Sequence, residues 1–119
     1  MKVAISANEV GARLKDVIKA HLSGAGYEVV DVSDKDIFTA TMNVVELVNK
    51  GEITRGIVVD DYGVIPFNIA AKNHGIVCAP VYEDYTSSMT RRHNSTQIIT
   101  MGCNVTADVL SCQIGRAHV

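Results

Sequence analysis

Gly56-Ile57-Val58-Val59 is an apolar run without polar alternation, so neither of its faces can be left to water. A strand buried on both faces belongs to a parallel sheet covered by helices on each side, which places the chain in the α/β class. The run leads into Asp60-Asp61-Tyr62-Gly63, and Pro66 stands where proline fits the first turn of a following helix. Open parallel sheets bind ligands just outside the carboxyl ends of their strands. A loop there with two carboxylates, a phenol and a flexible glycine is therefore the first place to expect chemistry.

Strand and helix signals alternate along the rest of the chain. Val3-Ala4-Ile5 reads as a first strand, and Val10, Leu14, Val17, Ile18 and Leu22 then recur at helical spacing until Gly24 and Gly26 stop the helix. Val29, Val30 and Val32 form a second strand, and Phe38, Met42, Val45 and Val48 mark a second helix ended by Lys50-Gly51. After the strand at 56–59, the pattern predicts a short helix over 66–72, a strand over 76–79, a polar helix over about 84–92, a strand over 98–101 and a fifth helix beginning between Val105 and Leu110. There is no linker, low-complexity segment or repeat. The expected fold is one Rossmann-like, doubly wound parallel five-stranded sheet with helices on both faces and the flavodoxin-like strand order 2-1-3-4-5. Its switch point, between the first and third strands, places Ser6-Ala7-Asn8-Glu9 beside Asp60-Asp61-Tyr62-Gly63.

Composition narrows the function classes. The 119 residues make one domain, 47% apolar and 20% charged, which excludes disorder. No apolar run approaches the ~20 residues of a membrane helix, and Met1-Lys2 passes straight into the first strand without a signal-peptide core, so a cytoplasmic protein is expected. Cys78, Cys103 and Cys112 are odd in number and include no CxxC pair, which suits reduced thiols rather than disulfides or zinc. A net charge of −2 offers no electrostatic case for a nucleic-acid partner.

Two constellations could carry chemistry. Asp60 ends the third strand and Asp61 follows at once, so their side chains diverge and do not form a paired acid/base dyad; one of them is a candidate base. A strand-end aspartate equally serves to cap the next helix or to bind loop amides. Tyr62 either bonds a polar ligand or packs, and Gly63 either admits a ligand to the backbone or makes a turn. Arg91-Arg92-His93-Asn94 ends a helix, where cations complement the carboxyl-terminal dipole and Asn94 suits a left-handed cap. The functional alternative is that His93, titrating near neutral pH, handles a proton while an arginine meets an anion. His21 and His74 have no acidic or thiol partner at ligand spacing, and no GxGxxG or Walker pattern occurs.

With these residues placed, the chain resembles the superfamily of ribose-5-phosphate isomerase B and galactose-6-phosphate isomerase over nearly its whole length. The resemblance rests on the first strand through Ser6-Ala7-Asn8-Glu9-Val10-Gly11 with Leu14-Lys15, on Gly51-Glu52 to Gly63, on Ile69-Ala70-Ala71-Lys72, and on Thr90-Arg91-Arg92-His93-Asn94 with Ile99-Thr100-Met101-Gly102. Ribose-type members carry Cys-Asp-His after the first strand and Cys-Gly-Thr-Gly after the third. This chain has Ala7-Asn8-Glu9 and Asp60-Asp61-Tyr62-Gly63 there, and with Pro66-Phe67 it is similar to the A-type subunits of the galactose-6-phosphate branch. In that branch the B-type subunit keeps the cysteine and the two assemble into one enzyme.

The resemblance implies aldose–ketose isomerisation through an enediolate, with no metal or cofactor. It places Asp60 at the position of the base and makes His93 the candidate for ring opening, Asn94 and the amides near Gly63 oxyanion donors, Asn8 and Glu9 partners of sugar hydroxyls, and Tyr62 and Arg91 further substrate contacts. The implied partners are a sugar phosphate and a cysteine-bearing B-type subunit of a hetero-oligomer, the aspartate being a weak base for a carbon acid when solvent-exposed. Three alternatives stand beside this reading. They are a homo-oligomeric ribose-5-phosphate isomerase B relative, a non-catalytic sugar-phosphate-binding paralogue, and a phosphoacceptor receiver domain. The last requires a lysine after the fifth strand, where Met101-Gly102-Cys103-Asn104 has none. Family members also carry an arginine near Cys103-Asn104 and continue into a Gly-Gly-Arg-His segment. Residues 1–113 are thus expected to be the isomerase domain of a longer protein and 114–119 a non-native tail, so Arg116 and His118 are not expected in the site.

Overall fold

In the computed structural model, which describes residues 1–119, strands and helices alternate strictly: β1 (Lys2–Ala7), α1 (Ala12–Gly24), β2 (Glu28–Asp31), α2 (Ile37–Asn49), β3 (Gly56–Asp60), α3 (Val64–Ala71), β4 (Cys78–Pro80), α4 (Asp84–Asn94), β5 (Ile98–Gly102) and α5 (Asp108–His118). All strand pairs are parallel, and the sheet is doubly wound as expected. Its order, however, is β2-β1-β3-β5-β4, which corrects the expected 2-1-3-4-5 in the last two strands. The reason lies in Cys78-Ala79-Pro80. Proline has no N–H to give to a ladder and is confined to edge strands, and this strand is only three residues long and half-buried. Ile98-Ile99-Thr100-Met101-Gly102 is buried at every position and takes the inner place beside β3. The strand also starts two residues later than expected, at Cys78.

Side chains alternate across the sheet and define two core layers. Val3, Ile5, Ala7, Ile57, Val59, Ile99 and Met101 face one side, where Leu14, Ile18 and Leu22 of α1 and Ile114 of α5 cover them. Ala4, Val58 and Ile98 face the other, under Val44, Val45 and Val48 of α2 and Ala70 of α3. Ile5, Ile18, Ile57 and Ile99 are completely inaccessible, each worth roughly 1.5–3 kcal/mol of burial. Asp36 caps α2 by accepting from the Thr39 amide, and Glu83 caps α4 by accepting from the Thr86 amide. At the other end of α4 the left-handed residue is Ser95, with φ 55°, and not Asn94 as expected. The helix runs two residues beyond Arg92, so the chain reversal falls one residue later.

Lys15 is 7% exposed, on the face of α1 turned toward β2, with its Nζ 2.7 Å from Asp31 and 2.8 Å from Asp16. No helix is long and apolar enough to cross a membrane.

Candidate active site

The register of β1 against β3 pairs Ser6 with Val58 and Ala7 with Val59, so the chain leaves β1 at Asn8 level with Asp60. The switch-point juxtaposition expected from the sequence is therefore present. It depends on Gly11, where an added Cβ would lie 2.4 Å from the Val59 carbonyl oxygen, so only glycine lets the β1–α1 turn cross this close to β3. The Asn8 Oδ1 accepts from the Gly11 amide at 2.9 Å and fixes that turn, which leaves the Asn8 Nδ2 to donate outward. Glu9 is exposed beside it.

Asp60 is 2% exposed, and its Oδ1 accepts a 2.6 Å hydrogen bond from the Gly63 amide. Gly63 has φ 80° and is held from its other side by Thr100, whose Oγ1 donates to the Gly63 carbonyl at 2.6 Å. The loop-amide role foreseen as the alternative for Asp60 is thus realised, and one carboxylate oxygen is committed to it. Burial pushes the Asp60 pKa above its ordinary value; the Gly63 amide opposes this, and the neighbouring Asp61 adds to it. Far from being solvent-exposed, this carboxylate is a stronger base than a free aspartate. Tyr62 is exposed and does not pack, and its backbone lies against Gly102, where a Cβ would come within 2.4 Å of the Tyr62 Cα.

Beside Asn8 and Glu9 the β2–α2 loop contributes Ser33, Asp34 and Lys35 to a cavity of about 270 Å³. Sequence reasoning missed these three, although their position just past a strand's carboxyl end was the available signal. Cys103 is expected from the sequence to be a reduced thiol standing where family members carry an arginine. Its amide donates to the Asp60 carbonyl at 2.8 Å, and burial together with Asp61 and Asp60 pushes its thiol pKa up, so it is not a ready thiolate. A larger groove of about 470 Å³ between α2 and α3, lined by Phe38, Met42, Ile65 and Lys72, holds no carboxylate, histidine or cysteine.

Arg91, His93 and Asn94 are not brought to this edge. The last turn of α4 leads into the amino end of β5, and Arg91 Nη1 donates to the Thr96 carbonyl at 2.7 Å. Within one chain these residues therefore lie across the sheet from Asp60. His93 and Asn94 are exposed there, and the Thr90 hydroxyl donates to Asn94 Oδ1 at 3.3 Å. Of the five arginines only Arg13 stands at the carboxyl edge, and it is engaged by Asp108 through two bonds of 2.9 and 3.0 Å. A single chain thus presents Asn8, Glu9 and Asp60 at one edge, and Arg91, His93 and Asn94 at the other.

Residues 3–119 match the family model described as Ribose/Galactose Isomerase. The galactose-6-phosphate isomerase subunit LacA of Lactococcus lactis subsp. lactis is 40% identical over the whole of this chain and 86% of its own length, and LacA 1 of Streptococcus agalactiae matches to the same extent. Among solved structures, ribose-5-phosphate isomerase B of Clostridium thermocellum superposes with a TM-score of 0.94 at 32% identity, covering 99% of this chain and 83% of that one. The Giardia lamblia ribose-5-phosphate isomerase B gives 0.93 at 28% identity, with 99% and 93% covered. The match of residues 3–119 and the 40% identity over the whole chain agree, and the chain belongs to the ribose/galactose isomerase family.

Proposed function

We propose that this chain is the A-type subunit of a heteromeric galactose-6-phosphate isomerase, which interconverts galactose 6-phosphate and tagatose 6-phosphate through an enediolate. The observation that carries the reading is the buried Asp60 at the end of β3, held by Gly63, in a chain 40% identical to named subunits of that enzyme. The reaction needs a base within reach of C1 and C2, a group for the ring oxygen, donors for the developing oxyanion and a clamp for the phosphate. Asp60 supplies a base of raised pKa, Asn8 Nδ2 and Glu9 meet sugar hydroxyls, and Tyr62 reaches the open side of the cleft. The carboxyl edge has no uncommitted arginine, and His93 and Asn94 stand across the sheet. A complete site therefore forms where the carboxyl edge of one subunit meets the α4 terminus of another. Val10, Tyr62, Val64, Ile65, Tyr82 and Val105 are all exposed around this edge, the apolar rim that a subunit contact covers.

A B-type subunit with a cysteine in place of Asp60 supplies the stronger base in its own half-site. Mixing tests the proposal. The isolated chain should show little turnover of galactose 6-phosphate and gain it when combined with a B-type subunit. Robust turnover by the chain alone would overturn the heteromeric reading. It would favour a homo-oligomeric isomerase with Asp60 as its base, the reading supported by the likeness to ribose-5-phosphate isomerase B structures.

A further inference from the structure

The amino-terminal edge of the sheet carries a second cluster, across the sheet from Asp60. Arg55, immediately before β3, and Arg91, in the last turn of α4, line one cavity of about 240 Å³ with Thr54, Ser95 and Gln97. Neither arginine makes an ion pair, and the ion pairs of this chain lie elsewhere. The Arg55 Nε is buried without a hydrogen-bond partner. Burial and the nearby Arg91 both weaken the hold of Arg55 on its proton, the mark of two guanidiniums sharing a site without an acid between them. His118 packs close by but donates no charge, because burial brings its pKa to about 4.

We propose that this cavity is a binding site for a phosphate group, built on Arg55 and Arg91. An uncompensated like-charge pair disfavours the empty site, and one anion relieves it. One Nη of each guanidinium donates to a backbone carbonyl, Arg55 to Thr54 at 3.1 Å and Arg91 to Thr96 at 2.7 Å; the remaining N–H groups with the Thr54 and Ser95 hydroxyls offer donors from several directions, which suits a tetrahedral dianion better than a planar carboxylate. The Gln97 amide is already spent, its Oε1 accepting from the Val77 amide and its Nε2 donating to the Gly75 carbonyl. No carboxylate lines the cavity to bond sugar hydroxyls, so the site recognises the phosphate group rather than a sugar. Its volume accommodates that group and several waters of about 30 Å³ each. The site is separate from Asp60, which lies at the other edge of the sheet. Ser95 adjoins His93 and Asn94, so occupancy also steadies the end of α4.

The test is an NMR titration of backbone amides in the chain with inorganic phosphate, with sodium acetate and sodium chloride at matched ionic strength as comparisons. Saturable phosphate shifts are expected at Arg55, Arg91, Ser95 and Thr96, with a Kd of about 1 mM or below. Arg55→Gln and Arg91→Gln should each weaken binding at least tenfold, Arg55→Lys should weaken it several-fold while keeping the charge and the fold, and Asp60→Asn should leave it unchanged. Absence of saturable shifts, equal shifts from acetate, or shifts confined to the carboxyl edge around Asn8 and Asp60 would each overturn the proposal. The unsubstituted chain decides the matter by itself should the glutamine variants fail to fold.

Discussion

Asp60 and Gly63 hold each other at the carboxyl edge of the sheet: the carboxylate fixes the amide of a left-handed glycine at 2.6 Å, and the glycine turn keeps the carboxylate buried. The next peptide oxygen is tied down by Thr100, so the base and the backbone donors near it are positioned by one rigid unit. This arrangement sets a stability cost against a chemical gain.

The sign of that cost is testable. Because burial raises the Asp60 pKa, the folded chain holds this proton more tightly than the unfolded chain. Its contribution to stability is present below the unfolded pKa and is lost as pH rises through the folded one. Asp60→Asn keeps the acceptor for Gly63 and removes the buried charge. The variant is expected to be more stable than the parent at pH 7, by no more than about 1.5 kcal/mol, with the difference vanishing near pH 3. Urea denaturation at the two pH values measures it, and a variant less stable at pH 7 would show that the carboxylate charge supports the fold.

Gly102 is expected to be intolerant of a side chain. A Cβ there would lie 2.4 Å from both Cα and the carbonyl carbon of Tyr62, backbone atoms that cannot rotate away. Gly102→Ala should lower stability by about 1–3 kcal/mol, the usual range for forced overpacking, and displace the Tyr62 loop. An unchanged urea midpoint would mean that the loop yields freely and that the clamp on Gly63 is looser than the geometry indicates.

Much of the architecture was legible because hydrophobic periodicity is a local signal. The unalternating run at Gly56–Val59 announced a doubly covered strand, and β3 is buried throughout. The placing of β4 and β5 was not read correctly, although Pro80 beside a three-residue strand carried the hint in its missing N–H. In the site, Asp60 was legible as a strand-end carboxylate, but its burial was not, since that depends on the Gly63 turn and on β5 pairing beside β3, which sets Gly102 opposite Asp60. The position of His93 across the sheet follows from the antiparallel return of α4, a topological fact that motif spacing does not contain. Ser33, Asp34 and Lys35 went unnoticed because nothing in their local pattern marks them; only the sheet brings them beside Asn8.

The Lys15–Asp31 pair predicts an acid-sensitive window. Burial pushes the Asp31 pKa up, but the Lys15 ammonium and the hydroxyl and amide of Ser33 outweigh it and bring the value to about 2. A depressed carboxylate contributes stability above its unfolded pKa near ~3.9 and loses it as pH falls through the folded value, so the window runs from about 4 down to about 2. Asp31→Asn leaves the Lys15 ammonium with Asp16 alone and should lower stability at pH 7 by about 1–3 kcal/mol, less than a fully enclosed pair because Asp31 keeps 20% of its side-chain surface. Parent and variant should converge as the pH approaches 2. A gap that persists there would assign the loss to packing.

His93→Ala and Asp60→Asn in a complex reconstituted with a B-type subunit separate the roles that the fold divides between two edges. His93 is exposed at the end of α4, where a folded chain does not need it, so its removal should leave folding and assembly intact. If it reaches the site of an adjoining subunit and assists ring opening, turnover of the cyclic sugar phosphate should fall by the ~100-fold or more expected for a general acid/base group. Asp60→Asn should reduce turnover much less if the partner's cysteine is the base, and to a similar extent if Asp60 itself abstracts the proton. Single-turnover measurements on the open-chain sugar sharpen the comparison, because ring opening is then bypassed and only the proton-transfer defect should remain. Unchanged turnover with weakened assembly in His93→Ala would assign this histidine to the helix terminus alone.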